Sequence, residues 1–199
     1  RDGPVTSLYT DHYELTMLQA ALHSGAAGRR TVFEAFARGL PEGRRYGIVA
    51  GTGRLLEGIA GFRFGPPELE FLDRTGVVNG DTLARLADFR FSGDVWGYPE
   101  GEAYFPYSPV LIVESTFAEA CILETYVLSV LNHDSAIASA ASRMVSAAGG
   151  RPCIEMGSRR AQEEAAPAAA DLLGGWPEVH DLGRRRYALT VPREQTEQA

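Results

Sequence analysis

Apolar residues recur along this chain at two periods, and each change of period marks an element. After Asp11, the residues Leu15, Leu18, Ala21 and Leu22 return at helical spacing, so a helix is predicted to start there. Asp11 can cap it, Glu14 three residues later completes a capping-box pattern, and Gly25 and Gly28 end it. The stretch TVFEAFARGLP (Thr31–Pro41) alternates Val32, Glu34 and Phe36 against Phe33 and Ala35 and reads as a strand. RRYGIVAGTGRLLEGIAGF reads as a strand, a glycine turn and a helix, and ELEFLDRTGVVNGDTLARLADFRF as short helices around an Asn79-Gly80 turn.

From Ser92 to Thr116, period-two segments around Val95, Tyr98, Tyr104 and Leu111–Val113 predict β structure, with Pro99, Pro106 and Pro109 at strand ends or edges. Thr116 and Glu119 form a capping-box pattern before an apolar helix predicted from Phe117 to about Asn132. Asp134 can cap a second helix that runs to Ala148 and stops at Gly149-Gly150. RPCIEMGS then reads as a buried strand feeding an alanine-rich helix. The order predicts an α+β N-terminal domain followed by the start of an incomplete α/β barrel. Its divisions fall at 1–116, an α/β domain, at 117–170, helices and the first barrel-like strand and helix, and at 171–199, a divergent tail. Arg184–Ala199 reads as a mobile end.

Composition narrows the chemistry. With 199 residues the chain can bury a real core. A net charge of −7 argues against a nucleic-acid surface. No apolar run approaches the ~18–20 residues of a membrane span, and RDGPVTSLYTDHYELT has no signal-peptide core, so a cytoplasmic protein is expected. Cys121 and Cys153 sit in apolar runs without C-x-x-C spacing, and buried free thiols are expected. All 19 basic residues are arginine. Lysine Schiff bases and a P-loop lysine are thereby excluded. Any phosphate would be held by arginine, backbone N–H groups or a metal.

Candidate site residues gather in a few places. In CIEMGSRRA (Cys153–Ala161) an apolar run stops at Gly157, and Arg159 and Arg160 follow. At the end of a parallel strand these two forks would suit a carboxylate or phosphate. They could equally pair with Glu155, Glu163 or Glu164. In TDHYELT, Asp11 and Tyr13 lie at a helix start, where a cap and an ordinary amphipathic aromatic are the plain reading, and His12 is isolated. Glu100 and Glu102 would share one strand face. Gly51-Thr52-Gly53 reads as a strand-to-helix turn rather than a phosphate loop. His133-Asp134 lacks a placed nucleophile, which rules out a triad, and Arg143 is a further candidate anion contact.

YTDHYELTMLQAAL, FEAFARGLP, RRYGIVAGTGRLLE, EGEAYFPYSPVLIVESTFAEACILET, NHDSAIASAASRMVSAAGGRP and IEMGSRRAQEEAA together resemble the nicotinate phosphoribosyltransferases, a type II phosphoribosyltransferase family, in their actinobacterial style. The resemblance covers about residues 6–166, in the family's order and spacing. It implies an enzyme of NAD salvage that joins nicotinate to 5-phosphoribosyl-1-diphosphate, giving nicotinate mononucleotide and diphosphate, with Mg²⁺ and coupled ATP hydrolysis. It also implies an N-terminal α/β domain, an irregular barrel, and homodimers whose active sites lie between subunits. Tyr13, with Asp11 beside it, matches the family's D-x-Y motif, whose tyrosine reaches from the partner subunit to stack on the pyridine ring. Met156 precedes the glycine of the G-x-R turn, Arg159 matches its arginine, and Arg160 is the doubled arginine of the nicotinate branch. The sequence also departs from the family. A full barrel takes ~250 residues. The family's phosphorylated histidine, in G-T-x-x-H, has no counterpart where this chain reads REQTEQA. Two readings follow from the resemblance, the enzyme and a non-catalytic ligand-binding or assembly fragment of the same family.

Overall fold

A computed structural model of the chain describes residues 7–154 and 189–190. In chain order the elements are α1 (His12–Ser24), β1 (Arg30–Ala35), β2 (Gly47–Ile48), α2 (Thr52–Gly61), α3 (Pro66–Thr75), α4 (Gly80–Ala87), β3 (Asp94–Gly97), β4 (Ala103–Tyr104), β5 (Leu111–Thr116), α5 (Phe117–Ala148) and β6 (Leu189–Thr190). The fold is mixed α/β, and its larger sheet is antiparallel throughout, in the order β1-β5-β3-β6.

β5 is the strand on which this sheet is built. Leu111, Val113 and Ser115 point inward, while Ile112, Glu114 and Thr116 face outward. Register carries the alternation to its neighbours, since Val113 pairs with Phe33 on one side and with Val95 on the other. The inner row Phe33–Val113–Val95 therefore meets α5, and Arg30 pairs with Glu114 on the outer face. Leu18, Leu55, Ile59, Phe62, Leu72, Leu86 and Ile122 fill the core between the sheet and the helices, all with almost no exposure. Each such side chain stabilises the fold by ~1.5–3 kcal/mol relative to leaving it in water.

The predicted elements form largely where periodicity places them, and the departures have local causes. The two helices expected around Asn132 are one helix, α5, unbroken from Phe117 to Ala148. The run contains no glycine or proline, and its polar interruption is absorbed by partners. Asp134 does not cap a helix; it is buried and binds the Arg54 guanidinium through two 2.8 Å contacts. Thr116 caps α5 by accepting from Glu119 N, but the Glu119 carboxylate turns to Ser92 rather than back to its own helix.

Small residues on the second half of α5 let β2 lie against it. Ile48 N donates to Ser139 Oγ at 2.8 Å and Ala50 N to Ser135 Oγ at 3.2 Å. Val49, between them, pairs instead with the turn before β4, donating to Glu102 O at 2.9 Å. Alternate backbone groups thus find a helix on one side and a chain segment on the other, which leaves no buried donor unpaired in this stretch.

Three further expectations are corrected. Residues 151–154 form no strand, and Ile154 is 80% exposed; the rest of the expected strand lies outside the described residues. Cys121 is buried, but Cys153 is only half-buried. Within the stretch read as a mobile end, Leu189–Thr190 pairs with β3 as the fourth strand, Asp94 opposite Thr190 and Val95 opposite Leu189. The barrel start falls on residues outside those described.

Candidate functional site

The first turn of α1 rests on the side of α5, and a buried carboxylate ties them together. Glu14 has no exposed surface. It accepts from the backbone N–H of Asp11 at 2.9 Å, closing the capping box that the sequence predicts, and from the Thr10 hydroxyl. It also accepts from Thr125 N at 3.0 Å and lies 2.8 Å from Thr125 Oγ1. That hydroxyl is 3.1 Å from Asp11 Oδ2 as well, so one proton is shared between two carboxylates. A buried charge persists only when its lone pairs are filled, and these donors fill them.

With Asp11 and Glu14 held, Tyr13 projects outward and is 47% exposed. Its hydroxyl donates to Glu124 Oε1 at 3.4 Å. Partial burial, followed by the carboxylates of Glu124, Glu14 and Asp11, pushes the Tyr13 phenol above its ordinary range. Glu124 is pushed up too, first by burial and then by the charge of Glu14. Cys121 Sγ points at Glu14 O, and burial, with Glu14 and Glu124 nearby, raises its thiol to about 12. It is a packing group and not a nucleophile. Beside Glu124 a cleft of about 140 Å³ opens between sheet and helix, lined by Phe33, Ala35, Leu111, Val113, Leu123 and Val127.

The arrangement presents an anchored aromatic face next to carboxylates, which suits stacking on a flat ring and gives no nucleophile or metal cage. Among the described residues no group of three His, Cys, Asp or Glu side chains is placed to hold a metal. His12 is exposed beside this cluster.

The other candidates are engaged elsewhere. Glu100 and Glu102 do not lie on a strand face; both sit in the turn before β4, with Gly101 at φ +85° between them. Glu100 Oε1 accepts from Gly53 N at 2.8 Å, so the glycine turn at the start of α2 already has an anion, and it belongs to this chain. His133 Nδ1 meets Asp134 Oδ1 at 3.0 Å beside Arg54. Arg143 donates to Tyr46 O and Ser139 O and stacks 5.4 Å over the Tyr46 ring, which makes it a clamp on the chain before β2. Met156, Arg159 and Arg160 lie outside the described residues. The structure therefore brings Asp11 and Tyr13 together and adds Glu124 and Thr125, which sequence reasoning did not single out.

Comparison with known proteins agrees with these motifs. A family model described as the nicotinate phosphoribosyltransferase (NAPRTase) N-terminal domain matches residues 8–132. Nicotinate phosphoribosyltransferase pncB1 of Mycobacterium tuberculosis (strain H37Rv) is 63% identical over 185 residues, which is 92% of this chain and 41% of that protein. The nicotinate phosphoribosyltransferase of Bacillus subtilis (strain 168) is 32% identical over 189 residues, 93% of this chain and 39% of that protein. The crystal structure of human nicotinic acid phosphoribosyltransferase superposes with a TM-score of 0.75 at 28% identity, over 83% of this chain and 35% of that one. The chain spans about two fifths of the length of the curated relatives it matches.

Proposed function

Because the chain belongs to the nicotinate phosphoribosyltransferase family, we propose that it acts in the joining of nicotinate to 5-phosphoribosyl-1-diphosphate, yielding nicotinate mononucleotide and diphosphate for NAD salvage. The observation that carries this reading is the anchored start of α1, where Asp11 and Glu14 are held by α5 while the Tyr13 ring stays exposed. Tyr13 is assigned to stack on the pyridine ring, which is electron-poor and gains from an aromatic face. Asp11 positions that ring beside Thr125. Arg159 and Arg160 are assigned to the phosphoribosyl phosphates or the nicotinate carboxylate, and Met156 to the other face of the ring. Positive charge develops on the ribose as diphosphate departs, and fixed guanidinium groups favour the departing anion.

The family's Mg²⁺ accompanies diphosphate. The described carboxylates do not fit a resident ion, since those of Asp11 and Glu14 already accept protein donors. The ion is therefore written as part of the diphosphate substrate. ATP coupling, a homodimer with shared sites, a barrel begun by the segment after α5, divisions at 116/117 and 170/171, and a cytoplasmic location complete the proposal. No helix among the described residues is long and apolar enough to cross a membrane.

The test has two parts, both on the 199-residue chain. Calorimetry measures nicotinate binding, and a product assay with nicotinate, phosphoribosyl diphosphate and Mg²⁺, with and without ATP, measures nicotinate mononucleotide. Nicotinate binding that weakens about tenfold in Tyr13→Ala, the loss of one stacking contact of ~1.4 kcal/mol, supports the site. Unchanged affinity in that variant removes Tyr13 from it. Product formation gives the chain the activity itself, and binding without product makes it a ligand-binding member of the family.

A further inference from the structure

Two Phe-Arg-Phe triplets leave helices α2 and α4: Phe62-Arg63-Phe64 and Phe89-Arg90-Phe91. All four phenylalanines are buried and both arginines are exposed. The rings meet edge to face, with centroids 5.8 Å apart for Phe62–Phe64, 5.5 Å for Phe62–Phe89 and 6.0 Å for Phe64–Phe89. This aromatic knot draws the backbones of residues 63 and 90 to one stretch of surface. Each guanidinium folds back and donates through Nη1 to the carbonyl just before it, Phe62 O for Arg63 and Phe89 O for Arg90.

Closing a helix C-terminus is a sufficient role for one arginine, and it uses one of five N–H donors. It does not account for placing two together. Among the described residues, neither Arg63 nor Arg90 has a carboxylate within ion-pair distance. The Phe62–Phe89 and Phe64–Phe89 contacts bring the two arginine backbones together, and burial, followed by the charge of Arg90, lowers the pKa of Arg63, in keeping with two neighbouring cations. Like charges held together by buried packing gain from an anion between them, and two planar forks match the oxygens of a tetrahedral dianion.

We propose that Arg63 and Arg90 form a binding site for a phosphate group, free or carried on a small phosphate ester. The inference does not rest on the function proposed above, and nothing in it requires turnover.

The experiment titrates inorganic phosphate and diphosphate into the 199-residue chain by calorimetry, with acetate and chloride at matched ionic strength. Phosphate should bind, acetate should not, and Arg63→Gln/Arg90→Gln should weaken phosphate binding at least about tenfold. Arg38→Gln, a change at an exposed arginine outside the knot, should leave affinity unchanged. If the double variant does not fold, the single variants decide, each expected to weaken binding. Absence of phosphate binding, equal binding of acetate, unchanged affinity in the Arg63 and Arg90 variants, or an equal loss in Arg38→Gln would each overturn the proposal. Tighter binding of diphosphate than of phosphate would assign the site to a diphosphate group, and the reverse would assign it to a single phosphate group.

Discussion

At the scale of single residues, charge placement decides most of what the start of α1 can do. Glu14 carries a full set of donors, while Glu124 has the weak Tyr13 hydroxyl and a neighbouring carboxylate. Its folded-state pKa is raised, so its protonated form is the one the fold prefers. The stability it contributes is present below the unfolded value of about 4.3 and is lost as pH rises through the folded value. Glu124→Gln removes that loss. The variant should therefore unfold at a higher urea concentration than the parent at pH 7, and the advantage should vanish as pH falls to about 4. An equal midpoint at both pH values would show that Glu124 has no such strain. The sequence made half of this cluster readable. Asp11 and Glu14 are three residues apart, and local spacing predicts their capping box. Glu124 and Thr125 are 111 residues beyond Tyr13 and Glu14, and no periodicity reports a contact across that distance.

Elements follow periodicity where their partners are near in sequence and depart from it where the partner is remote. The helices α1 to α4 and the strand β5 stand where alternation or the 3.6-residue period puts them, with Gly25 in the left-handed region at the end of α1, while β1 ends at Ala35, short of the Pro41 that closes the stretch reading as a strand. The break expected near Asn132 does not form because Asp134, which looks like a cap in sequence, instead binds Arg54, and Ser135 beside it accepts from Ala50 N. The same crossing of helices sets the sign of a glycine substitution. Gly58 lies in the interior of α2, where alanine ordinarily stabilises a helix by up to ~1 kcal/mol. Here an added Cβ would fall 1.8 Å from the Tyr126 hydroxyl oxygen, so Tyr126 or the helix must shift. Overpacking of this kind costs ~1–3 kcal/mol and outweighs the propensity gain. Gly58→Ala should lower the melting temperature, and a rise would mean that Tyr126 moves aside freely.

For the molecule as a whole, the central strand of the sheet is late in the chain. Ala35, at the end of β1, pairs with Leu111, and β3 joins the same strand from the other side. Neither flank can pair until β5 exists, so the sheet depends on contacts that close long loops. During synthesis at about 5–20 residues per second, β1 waits roughly 4–15 s for its partner. Through that interval the inward face of β1, Phe33 and Ala35, has only the already made helices to cover it. Nascent chains stalled before Leu111 should be cut by protease within Arg30–Ala35, and chains stalled well beyond Thr116 should resist. Equal resistance at both lengths would mean that the early helices shelter β1 unaided. The order of strands thus sets a clock as well as a shape, and a pause in translation just upstream of β5 prolongs the period in which β1 stands without its partner.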